Sequence, residues 1–270
     1  MKPLEERAAR IASRDIFEKI YDDYNKRIYV SPDPLQFLYD YDESADREAV
    51  GLIASGLAYG KVAQILKSVK RVLGVLGPSP SEYLKNSGLE DHKKALGSFV
   101  HRFTDCMEMS LFLDAAGSLL RRYGSLERLF VAGYDGDIQH GMENFSAAFN
   151  DAMNRENIFL LPRPSKGSAC KRMALYLRWM VRRDDVDPGG WSCLSPAELL
   201  IPLDTHMFNI SSTLGLCSSK SANGRTAAEI TARFSEISPD DPVKYDFALT
   251  RYGIREEMSV EELFAKWAQK

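Results

Sequence analysis

Apolar residues recur three and four positions apart along nearly the whole chain, and runs that alternate apolar with polar residues between turn signals are almost missing. A chain patterned this way must bury its apolar stripes helix against helix, so the expected fold class is all-α. Turn and cap residues divide it. Helices are expected from Leu4 to Lys26, Leu35 to Tyr41, Ser44 to Leu57 and Lys61 to Leu76, with another start at Ser79 or Ser81. The series continues from Thr104 to Tyr123, Ser125 to Ala132, Ile138 to Asn154 and Ser168 to Arg183, then briefly from Pro196 to Leu199. It ends with Thr205 to Leu214, Arg225 to Ile237, Pro242 to Tyr252 and Val260 to Ala268.

A length of 270 residues suits one elaborate domain or two tightly packed lobes, and no linker separates two halves. The net charge of −3 gives no bulk attraction to nucleic acid, so any such affinity must be local. The first residues lack an unbroken apolar run, and no later stretch approaches about 18 consecutive apolar residues, which predicts a soluble, cytoplasmic protein with no membrane partner. Cys106, Cys170, Cys193 and Cys217 are widely spaced without a CxxC pair, and His206 has no H-x-x-x-H partner. No metal and no cofactor are expected. Trp179 and Trp191 are read as core residues, and His101 as either a pocket residue or a satisfied partner of the next helix start.

The charge that does concentrate lies between Pro162 and Arg183, where Arg163, Lys166, Lys171, Arg172, Arg178, Arg182 and Arg183 occur with no acidic residue. If Ser168 caps the helix, Lys171 falls in its first turn, where the positive end of the dipole and its cationic neighbours disfavour a further positive charge. A neutral amine is what attack on an electrophilic carbon requires. A solvated surface lysine is the plainer alternative. Downstream, in IPLDTHMFNISSTLGL at 201–216, Asp204 can cap the helix that starts at Thr205. A carboxylate fixed that way also suits the stabilisation of positive charge on a sugar.

These strings carry a resemblance. PLDTHMFNI and GSACKRMALYL resemble the aspartate motif and the lysine-bearing helix of the helix-hairpin-helix DNA glycosylases, which places Lys171 and Asp204 on the catalytic pair. Their separation of 33 positions is similar to that of the archaeal 8-oxoguanine glycosylase branch, with DDVDPGGWSCLSPAELL accounting for the length. KYDFALTRYGI at 244–254 resembles the helix that serves the base pocket, implying roles for Asp246 and Phe247. AVGLIASGLAYGKVAQI at 49–65 resembles the turn that enters DNA, implying contacts from Leu57 and Tyr59, with His206 as a further substrate contact. A plain buried helical hairpin explains this last segment equally well. More narrowly, YVSPDPLQFLYDY, LPRPSKGSACKR and IPLDTHM look like a bacterial family within the superfamily.

The resemblance implies one two-lobed domain over 1–270, with a helical barrel lobe at about 44–183 and a second lobe from 1–43 plus 200–270. It also implies damaged double-stranded DNA as partner, no obligate protein partner, and excision of a base, an oxidised purine being the first guess, with associated strand cleavage. One departure concerns anchoring. LPRPSKGS replaces the usual Leu-Pro-Gly-x-Gly hairpin, although Lys166, Gly167, Ser168 and the next helix start could still hold an anion, and Arg172 together with Arg178 and Arg182, spaced four apart on one face, could contact phosphate. The rival reading is a repurposed, non-catalytic nucleic-acid-binding member of the fold. Ser168 and Lys171 also fit the S-x-x-K pattern of serine acyl-transfer enzymes, but its partner strings K-T-G and S-D-N are missing.

Overall fold

The computed structural model describes residues 14–254, so the helix expected from Val260 to Ala268 and the start of the one expected from Leu4 lie outside the described residues. The all-α expectation holds. Helix α1 covers 14–24. It is followed by α2 (Ser44–Gly56), α3 (Val62–Leu76), α4 (Pro80–Asn86), α5 (Leu89–Leu96), α6 (Cys106–Tyr123), α7 (Leu126–Ala132) and α8 (Ile138–Met153). The later helices are α9 (Lys171–Val181), α10 (Thr205–Thr213), α11 (Gly224–Ile237) and α12 (Asp246–Ile254). None of the described helices is long and apolar enough to cross a membrane.

Caps set most boundaries. Asp105, Ser125, Asp137, Asp204 and Asn223 each accept a backbone N–H from the first turn of the helix that follows. Asp33 does the same for Leu35, opening the segment Pro34–Asp40, which winds as a 3-10 helix where an α-helix was expected. Two elements go beyond the expected helices. Leu89–Leu96 is helical, and Val100–His101 pairs antiparallel with Thr104–Asp105 as β1 and β2, a hairpin too short to show a period of two.

Helix α2 is the centre of the packing, buried almost continuously from Glu48 to Gly56 and in contact with α3, α4, α7, α9 and the 3-10 segment. Gly51 lets it approach α9 closely, since a Cβ there would stand 3.2 Å from the Tyr176 ring. Two buried carboxylates on α2 tie down its neighbours. Glu48 accepts from the backbone of Leu126 and Glu127 and from Trp191 Nε1, and Asp46 accepts from Ser81 N. Trp179 and Trp191 are core residues, as expected. Helix α6 packs against α4, α5, α7 and α8, while α10 packs against α12.

The acidic connection after α9 turns inward. Asp187 is fully buried between Arg178 and Arg182, Arg182 also pairs with Asp184 and Asp241, and Arg178 also pairs with Asp246. Asp184 accepts from the backbone of Val186 and Asp187 at 2.8 Å each and from the Tyr21 hydroxyl at 2.9 Å. Arg178 and Arg182, expected to face phosphate, are instead satisfied inside the core. Desolvating two guanidiniums is tolerable here because each meets more than one carboxylate.

Candidate active site

Lys171 is the first residue of α9 and Asp204 the residue that caps α10, so two helix starts meet. Lys171 Nζ lies 3.3 Å from Asp204 Oδ2, while Asp204 Oδ1 accepts from Met207 N at 2.9 Å. Their side chains are 33% and 17% exposed, enough for a ligand to reach both. Ser168 does not cap the helix. Its hydroxyl accepts from Cys170 N, Cys170 takes the left-handed conformation, and the helix begins three residues later than expected. A serine that bonds the amide two residues on builds a local turn in place of a cap.

Two cavities open on this pair. The deeper one, of about 330 Å³, is lined by Lys171, Asp204, His206 and Asp246 together with Asp33, Thr250 and Arg251. The shallower one, of about 440 Å³, shares Lys171, Asp204 and His206 and adds Tyr59, Phe159 and Arg172. Asp246 is the unusual member. One of its oxygens meets Arg178; the other, Oδ1, is buried with no hydrogen-bond partner among the described residues. Burial raises its carboxyl pKa to about 6 against the pull of Arg178, and the nearby Asp204 charge adds to the rise.

Some expected contacts are not at either cavity. Leu57 is fully buried and cannot reach a ligand, because α2 carries its apolar stripe through the last turn. Phe247 is buried with its ring 4.1 Å from the Arg251 guanidinium, supporting the cavity wall from behind. Arg178 reaches the deep cavity only as the partner of Asp246 and Asp187 and is not free for a DNA phosphate. Tyr59 is at the shallow cavity, but its hydroxyl is committed to His101 O at 2.8 Å and Thr104 Oγ1 at 2.7 Å. His101 is a satisfied core histidine, bonded to Ser68 and to Tyr59 O.

The segment LPRPSKGS at 161–168 is closed on itself. Pro164–Lys166 forms a 3-10 turn, Gly167 donates to Pro164 O, and Glu143 accepts from Ser165 N and from Arg163. The Gly167 amide is therefore not free for an anion, while Lys166 stays exposed beside Arg155 and Arg163. The S-x-x-K reading gains no geometry, with the Ser168 hydroxyl accepting from Cys170 and the Lys171 amine facing Asp204. All four cysteines are free thiols, and among the described residues no cluster of His, Cys, Asp or Glu could hold a metal ion.

Asp33, Thr250, Arg251 and Phe159 went unnoticed in the sequence. Asp33 sits in a turn far upstream and Arg251 is a buried cation, so neither announces itself locally. The family model described as Protein of unknown function (DUF2400) matches residues 33–255. No curated protein and no solved structure matches the chain.

Proposed function

The chain belongs to this DUF2400 family, and we propose that it is a DNA glycosylase with associated lyase activity. The observation that carries the reading is the 3.3 Å contact of Lys171 with Asp204 at the mouth shared by two cavities. One cavity is deep enough to hold an extruded base while the sugar stays at the amine. In this reading the helical barrel lobe supplies Lys171 and the lobe built from the two chain ends supplies Asp204.

The steps follow from the chemistry of the two groups. A damaged nucleotide is flipped out of the duplex so that its base enters the deep cavity and C1′ faces Lys171. Asp204 takes a proton from the lysine, and the neutral amine attacks C1′. The N–C1′ bond forms as the glycosidic bond breaks, and the base leaves with the bonding electrons. Asp204 then passes that proton to the departing base, and the carboxylate so regenerated offsets the positive charge on the sugar. The amine nitrogen then expels O4′, which takes its proton, so that the sugar ring opens as the protonated Schiff base forms; loss of a C2′ proton next breaks the C3′–O bond and releases the 3′ phosphate by β-elimination. Asp246 offers its unpartnered oxygen to an N–H of the base, and His206 stands beside both chambers.

Borohydride reduction with an 8-oxoguanine duplex tests the reading, because it freezes the Schiff base as a stable adduct. Wild type is expected to give the adduct and Lys171→Gln to give none. An adduct that survives the substitution overturns the role of Lys171. Failure of wild type on a broad lesion panel, with DNA binding retained, favours the non-catalytic binder, to which the self-satisfied segment 163–167 already lends weight.

A further inference from the structure

The shallow cavity is lined by Tyr59, Phe159 and Arg172, and an aromatic cluster continues from it onto the adjoining surface, where the chemistry at Lys171 has no use for it. Phe103, at the tip of the β1–β2 hairpin, is 71% exposed, and Phe159 is 42% exposed. The two rings meet edge to face at 5.4 Å and 72°, and Phe159 meets Tyr59 in the same manner at 4.9 Å. The Arg172 guanidinium lies 4.4 Å from the Phe159 centroid and 5.1 Å from that of Tyr59. Arg102 sits 5.4 Å from Phe103.

Two groups here lack what their chemistry asks for. Exposed rings keep apolar faces in water, and a cluster of them beside a cleft marks a binding surface. Arg172 donates to Gly56 O at 3.3 Å, yet among the described residues no carboxylate pairs with it, and burial depresses its pKa to about 10. A half-buried guanidinium without a counter-charge is stabilised by an anion. A ligand that satisfies both carries a flat apolar face and a negative charge a few ångströms away, which describes a nucleotide whose base is not already stacked.

The scaffold holds this cluster firmly. Tyr59 and His101 exchange hydrogen bonds between the turn after α2 and the hairpin, so the two move as one body. Gly60 sits under the hairpin tip with a φ of +94°, and a Cβ there would come 2.7 Å from Arg102 Cδ. With Leu57 buried and the Tyr59 hydroxyl committed, Phe159 is the ring at this cavity free to meet a base, and the exposed Phe103 adjoins it just outside the lining.

We infer that Phe103 and Phe159, set nearly at right angles, form an L-shaped clamp for one unpaired nucleobase outside the deep cavity, one ring stacking on its face and the other bordering its edge, with Arg172 receiving the phosphate of that nucleotide. The clamp rests on the reading of the chain as a DNA-binding protein, but not on the covalent chemistry at Lys171. A base left without its partner when the opposite nucleotide is extruded is the natural occupant.

The test compares two duplexes of one sequence, one fully paired and one with 2-aminopurine opposite a tetrahydrofuran abasic analogue. Wild type is expected to bind the second more tightly and to quench its 2-aminopurine fluorescence. Phe103→Ala and Phe159→Ala should each weaken that binding about tenfold, the order that loss of a stacking aromatic brings, while moving the paired duplex far less. Phe103→Trp should restore both affinity and quenching. Because Phe103 is exposed, its alanine variant is expected to melt as wild type does. Equal wild-type affinity for the two duplexes, equal losses on both, or no binding to either overturns the clamp. Loss of the borohydride adduct with the preference intact would instead remove the lysine chemistry and leave the clamp standing.

Discussion

Helix α9 carries two ion-paired cations of opposite character only seven residues apart. Lys171, at its first position, faces one carboxylate across an opening and remains a third exposed. Arg178, two turns on, is 3% exposed and meets Asp187 and Asp246. The first pair is arranged so that a ligand can come between its members; the second is arranged so that nothing can. Basic residues along one segment therefore divide by position on the helix. Lys171 and Arg172 at the start look into the cavities, and Arg178 and Arg182 past the second turn hold the core together.

That division is sharpest where chemistry and stability part company. Lys171→Gln should remove the borohydride adduct entirely while changing unfolding free energy by no more than ~1 kcal/mol, as for other exposed ion pairs. Chemical denaturation alongside trapping checks both. Asp187→Ala should show the opposite pattern. It leaves two buried guanidiniums short of a carboxylate, so a loss of about 3–5 kcal/mol in a urea titration is expected. A cost under ~1 kcal/mol would mean that Arg178 and Arg182 are held by their remaining partners alone.

Asp246 belongs to both regions, and its titration joins them. Its carboxyl is raised to about 6 by burial, so its charge is lost as pH falls through that value. Adduct formation that needs the ionised oxygen should fall about tenfold per pH unit below 6. Stability should move the other way, because the folded chain binds this proton more readily than the unfolded chain between about pH 6 and pH 4. Asp246→Asn should flatten both profiles in that window. The smallest effect is expected at Ser125, whose hydroxyl caps α7 far from either cavity; Ser125→Ala should cost about 1 kcal/mol and leave trapping untouched.

Local chemistry was legible in the sequence, and tertiary context was not. Asp204 could be placed as a cap from PLDTHM because cap preference depends on a few neighbouring residues, and Ser125 followed the same logic. Ser168 misled because its hydroxyl has a second local option, the amide of Cys170. Helix α12 begins at Asp246, beyond the turn through 242–245, so Pro242 marked the approach and not the helix. Nothing in the spacing of Arg178 and Arg182 could reveal that DDVD folds back to neutralise them, because that depends on where a loop goes. The hairpin that presents Phe103 has two residues per strand, below the length at which alternation becomes visible.

The deep cavity draws its wall from residues 32–34, 58–65, 171–178, 202–206 and 246–254. These stations are scattered from near the beginning of the described chain to its end. The pocket is consequently a property of the finished tertiary structure, possessed by no fragment. A ribosome must release the segment bearing Arg251 before the cavity can close around anything, so a nascent or clipped chain would carry Lys171 without a compartment to use it in.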